Sequence, residues 1–291
     1  MPVFSPDIIC SLSIFTSRSF TVDSMSRFGL KVLRYPAPKC TLDVVAVHGL
    51  NGDCRGSWTS NGPEGSVLWL DDLLPKKIPT ARIMTFGYNA DVVGNTSVAG
   101  IRDNARKLLE SIRDEREDDQ ETDPHRPIVF VGHSLGGIII KQALRIANNE
   151  ARLYDDIASS TKGILFFATP HRGADVAKWV NMIACIAAFS LRQPKSKFIQ
   201  AMESNSKDLM EISEDFRSIV DKYAIISFYE ENVYPTLGTV VVEKYSAVME
   251  VSHEEAVLMG GNHSEVCKFG NNDDRFDQVW RRIKRAARGR A

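Results

Sequence analysis

The segment that most restricts how this chain can fold lies near its middle. Residues Pro127 to Val131 read PIVFV, residues Gly132 to Gly136 read GHSLG, and GIIIKQAL follows. A short continuous apolar run suits a strand buried on both faces. The run after the turn is apolar at its start, as a helix laid on such a strand would be. A Gly-x-Ser-x-Gly turn between them puts Ser134 at the tip of a tight strand-to-helix corner,. Side chains at Gly132 and Gly136 would collide there with neighbouring backbone, so glycine is required. A serine at the start of a helix also faces N–H groups that favour developing negative charge.

Similar apolar runs recur along the chain: Leu42 to Val47, Ala81 to Phe86, Gly163 to Ala168, Ala224 to Phe228, Thr239 to Val242 and Ala256 to Met259. Between them lie helical patterns. Val98, Ile101, Ala105, Leu108, Leu109 and Ile112 share one face, and Phe276, Val279, Trp280 and Ile283 mark an amphipathic C-terminal helix,. This alternation predicts an α/β chain with a mostly parallel central sheet and helices on both faces. The 291 residues suffice to bury a large core without staples. We expect one domain over 28–291. Residues 1–27 read as a disordered extension, or as sequence upstream of a start at Met25; they lack the basic opening of a secretory signal,.

Composition narrows the chemistry. The net charge is −1, which gives no electrostatic footprint for nucleic acid. Five cysteines, Cys10, Cys40, Cys54, Cys185 and Cys267, are widely spaced with no CxxC pair. That is a poor disulfide framework and a poor zinc site, and it predicts a reducing, cytoplasmic setting; chemistry at a serine nucleophile calls for neither metal nor organic cofactor.

A serine hydroxyl needs a base within reach and donors for a developing oxyanion. His263 follows the last apolar run in Gly260-Gly261-Asn262-His263, and the order serine, acid, histidine suits such a corner. Of the other histidines, His125 falls in an acidic loop, His253 in a charged stretch expected at the surface, and His133 at the variable position of the turn. Glu230, at the end of the strand that contains the run Ala224 to Phe228, is the chosen acid; Glu231, Glu243 and Asp175 compete. His48-Gly49-Leu50-Asn51-Gly52 follows an early strand, so the backbone N–H groups of Leu50 and Leu135 are assigned to the oxyanion hole. The apolar stretch from Asp175 to Leu191 is read as a core helix, with a lipid-facing cap as the alternative.

HGLNG, GHSLGG, FFATPHRGAD, SFYE and NHSEVCKF, in that order, resemble the lipase-like serine esterases of the α/β-hydrolase fold. The resemblance is nearest to the serine-active-site-containing proteins and to the esterase-like N-terminal domains of fungal NLR-type proteins. It implies hydrolysis of carboxylic esters, including lipid esters, through a triad carried over to Ser134, Glu230 and His263, with Thr169-Pro170-His171 as a structural turn beside the site. It also implies association with a membrane surface at the mitochondrion or endoplasmic reticulum. The fungal relatives supply a different reading, a signalling or interaction module that keeps the hydrolase scaffold.

Overall fold

A computed structural model describes residues 28–36, 39–89, 98–119, 123, 125–172, 176–191, 209–233, 238 and 240–290. The expectation for residues 1–27 therefore lies outside the described residues. Nine strands occur among them: β1 Gly29–Arg34, β2 Leu42–Val47, β3 Thr59–Gly62, β4 Gly65–Leu68, β5 Ala81–Gly87, β6 Ile128–His133, β7 Thr161–Phe167, β8 Ala224–Glu230 and β9 Glu254–Met259. The longer helices are α1 Val98–Glu117, α2 Leu135–Asn149, α3 Ala151–Ser160, α4 Val176–Leu191 and α5 Asp274–Ala286.

Seven strands form one sheet in the order β1-β5-β2-β6-β7-β8-β9. Only the β1–β5 pairing is antiparallel. Alternate residues of each central strand face opposite sides. Val45, Phe130 and Phe166 pack with Leu108 of α1, Ile139 of α2, Ile157 of α3 and Trp179 of α4. Val44, Val131 and Leu165 pack with Trp69, Leu74, Phe276 and Val279 on the other side. Both faces of the sheet are thus covered, which is why its strands read as unbroken apolar runs.

One expected strand does not form. Residues 240–242 of the run Thr239 to Val242 carry no ladder; residue 239 lies outside the described residues. Val241 and Val242 are buried, but their N–H groups go to the Glu230 carboxylate and not to a neighbouring strand. Strand β1 and the β3–β4 hairpin were not expected. Strand β1 is only partly covered, and the hairpin is two short Gly- and Ser-containing segments, so neither shows a strong period.

Candidate active site

The turn between β6 and α2 is as tight as its glycines imply. Ser134 sits at φ 51°, ψ −123°, a conformation that costs a non-glycine residue about 1–3 kcal/mol and persists only where its surroundings enforce it. Its N–H donates to the Phe167 carbonyl at 2.9 Å, and its own carbonyl accepts from Gly137 N at 3.1 Å. A Cβ at position 136 would collide with the Val47 and His48 carbonyl oxygens, and one at position 132 would lie 2.8 Å from Gly137 Cα. The corner can therefore fold back on α2 only with a hydrogen at 132, and pack against the end of β2 only with a hydrogen at 136.

Beside Ser134 lies His263, on the loop after β9. Its Nε2 is 3.0 Å from Ser134 Oγ, and its Nδ1 is 2.6 Å from Glu230 Oε1. Glu230, the last residue of β8, accepts Val242 N–H at Oε1 (3.0 Å) and Val241 N–H at Oε2 (3.2 Å). The carboxylate is thus aimed by two backbone amides from the segment that does not become a strand. Ser134 and His263 are each 1% exposed and Glu230 is 5% exposed, so the contacts form away from bulk water, where electrostatic interactions are strongest. Glu231 and Glu243 are exposed, and Asp175 lies outside the described residues.

The loop after β2 is fixed by its own histidine. His48 Nδ1 donates to the Gly49 carbonyl at 2.8 Å, an oxygen that also accepts Gly52 N–H at 3.1 Å. The Tyr88 hydroxyl donates to the His48 carbonyl at 3.0 Å, and the two rings stack with centroids 4.5 Å apart. Burial lowers the His48 pKa below the ordinary imidazole range and raises that of the Tyr88 phenol. These groups hold the turn containing Leu50, which is buried; Leu135 opens α2 next to Ser134.

The turn after β7 anchors the segment that aims Glu230. His171 N–H donates to the Ser246 carbonyl at 2.7 Å, and Arg172 Nε donates to the Tyr245 carbonyl at 2.8 Å. The Arg172 guanidinium lies 4.1 Å from the Tyr245 ring centre and pairs with Glu250. Beneath this turn, Lys141 of α2 is fully buried, donating to Ser213 Oγ at 3.1 Å and toward the Pro170 carbonyl at 3.4 Å; desolvation holds its amine well below the usual range. Sequence reasoning did not single out Tyr88, Val241, Val242 or Arg172. Arg172 lies within FFATPHRGAD and Val241 and Val242 within an apolar run, but their roles depend on partners distant in sequence, which no local pattern shows.

The other histidines divide. His125 is exposed, as expected. His253 is only partly exposed: its side chain is 12% exposed, with Nδ1 3.4 Å from Asp221. Its strand-leading loop folds back on residue 221, which the local charge pattern could not show. No cluster of His, Cys, Asp and Glu able to hold a metal occurs among the described residues, and no described helix is long and apolar enough to cross a membrane.

A buried serine on a strand–turn–helix corner, at the carboxyl ends of a mostly parallel sheet, is the arrangement of the α/β-hydrolase fold. The chain belongs to the family described as "Putative serine esterase (DUF676)", whose model matches residues 41–220. That match includes Leu50 and Ser134 and ends before Glu230 and His263. The chain is similar to Protein SERAC1 of Homo sapiens, 25% identical over 258 residues, covering 79% of this chain and 36% of the relative. Protein SERAC1 of Danio rerio is 24% identical over 251 residues, with 79% and 37% covered. The chain thus spans little more than a third of the length of these curated relatives. Among solved structures it is similar to EstE1, a carboxylesterase from a metagenomic library (TM-score 0.48, 14% identity, 89% of this chain and 81% of that one). It is also similar to Bacillus licheniformis lipase BlEst2 (TM-score 0.47, 16% identity, 87% and 97%).

Proposed function

We propose that the chain hydrolyses carboxylic esters with an apolar acyl group, lipid esters among them, through an acyl-enzyme on Ser134. The observation that carries this reading is the hydrogen-bonded line from Ser134 Oγ through His263 to Glu230, ending on a serine held in a strained corner. In the first step Ser134 Oγ attacks the ester carbonyl while His263 Nε2 takes its proton. Glu230 holds Nδ1–H, fixes the tautomer and stabilises the imidazolium. The negative charge on the former carbonyl oxygen falls to the backbone N–H groups of Leu50 and Leu135. His263 then gives its proton to the leaving alcohol, and water, deprotonated by the same imidazole, releases the acid. The reaction balances with water alone as co-reactant.

The test is covalent labelling. A fluorophosphonate probe should label the wild-type chain and leave Ser134→Ala unlabelled, and the same substitution should abolish turnover of p-nitrophenyl butyrate. A folded wild-type chain that neither labels nor turns over would favour a scaffold that binds or signals without chemistry. Equal turnover by Ser134→Ala would place the chemistry elsewhere.

A further inference from the structure

His133 stands between Gly132 and Ser134, at the position of the turn that the motif leaves open. The residue is 9% exposed, and its ring lies between two loops. On one side Nε2 is 2.8 Å from the His263 carbonyl oxygen, and the two imidazoles lie with centroids 5.0 Å apart and planes at 44°. On the other side is Gly49, where an added Cβ would come 3.0 Å from His133 Nδ1 and 2.9 Å from Ser134 Cβ. A carbonyl oxygen only accepts, so Nε2 carries the hydrogen and Nδ1 is bare.

We infer that His133 is a positioning residue, whose Nε2–H holds the backbone of His263 so that the imidazole stays seated on Ser134 Oγ. The inference rests on the hydrolase reading above. A histidine on a loop after an edge strand has no ladder to fix it, and Asn262, its neighbour, turns to its own loop by accepting from Ser264 N–H and Oγ–H. The bond from His133 links that loop to the rigid β6–α2 corner, so base and nucleophile share one support. The role needs a ring that donates without competing for the proton. Burial, with the nearby His263 adding to it, lowers the His133 pKa to about 3, so the ring stays neutral when His263 takes the proton from serine.

The test compares His133→Phe, which keeps a ring but has no donor, with His133→Gln, which restores an N–H at similar reach. With p-nitrophenyl butyrate, His133→Phe should lower kcat about tenfold, the scale of one buried hydrogen bond. KM should stay near wild type, and the melting temperature should fall by only a few degrees, as one buried carbonyl left without its donor predicts. The rate of labelling by the fluorophosphonate probe should fall in parallel. His133→Gln should recover kcat to within about threefold of wild type, as a retained hydrogen bond predicts. Should the Phe variant not fold, His133→Met takes its place as the donor-free variant against His133→Gln. Wild-type kcat in a donor-free variant would overturn the inference, as would equal impairment of the donor-free and Gln variants. If the wild-type chain itself neither labels nor turns over, the hydrolase reading fails and this inference with it. If the wild type is active but the donor-free variant matches it, only this inference fails.

Discussion

Glu230 is surrounded by donors: His263 Nδ1–H and Val242 N–H at Oε1, and Val241 N–H at Oε2. A carboxylate satisfies all three, because both of its oxygens accept. A glutamine has one acceptor oxygen and would set its NH2 group against one of these donors. Either the imidazole turns to the wrong tautomer or a buried amide is left opposed. Glu230→Gln should therefore lower kcat by about 10³- to 10⁴-fold, as loss of the orienting acid does in such triads, and should cost about 1–3 kcal/mol of stability. Glu231→Gln and Glu243→Gln, both at exposed positions, should change stability by less than about 0.5 kcal/mol and leave kcat near wild type. Steady-state kinetics and urea melts of the three variants decide this. A crippled Glu231 variant beside an active Glu230 variant would move the acid by one residue and leave the serine and histidine roles intact.

The helix α4 is where a core reading and a substrate-facing reading compete. Trp179 has no exposed surface and belongs to the same apolar cluster as Phe130, Phe166 and Ile139. The side chains of Ile183 and Phe189 on the same helix lie outside the described residues. Trp179→Ala should cost about 3–5 kcal/mol, the usual loss for a buried large aromatic. The ratio of kcat/KM on butyrate and decanoate esters should not move. A selective loss on decanoate with an unchanged melting temperature would make this helix a wall of the acyl site instead. The packing of α4 also bears on what a sequence can show. Strand β6, the corner and α2 were legible because their pattern is local: an apolar run, glycines with no room for a Cβ, and a helical period, all contiguous. The run Thr239 to Val242 has the same local signature as a strand, yet its amides go to a carboxylate ten or more residues earlier. Likewise, the role of His133 depends on a carbonyl 130 positions away. Such pairings are set by the tertiary fold, and no window of sequence contains both partners.

On the scale of the whole molecule, the two ends of the sheet carry different loads. Leu50, Ser134, Glu230 and His263 all sit at or just beyond the carboxyl ends of β2, β6, β8 and β9, where open α/β sheets place their ligands. The opposite end is closed by charge. Asp43, on β2 and wholly buried, meets Arg82 of β5 through Nε at 2.8 Å, Arg116 of α1 at 2.6 Å and Arg126, just before β6, at 3.1 Å. Glu115 and Asp119 lie on the outer side of the cluster against Arg82, at 2.9 and 3.4 Å. One carboxylate thus ties two neighbouring strands, a helix end and a loop. Asp43→Asn keeps the shape but removes the buried carboxylate that three guanidiniums share, leaving Arg82 with the outer Glu115 and Asp119; breaking a buried pair costs about 3–5 kcal/mol. The strand bearing Asp43 continues to Val47 before it reaches the His48–Leu50 turn, and sites that share no partner usually behave additively. Asp43→Asn should therefore lower the urea midpoint markedly while kcat/KM of the folded variant, measured well below its melting temperature, equals that of wild type. A fall in kcat/KM with the midpoint unchanged would mean that the ionic end of the sheet sets the geometry of the serine end, and that the two cannot be treated as separate supports.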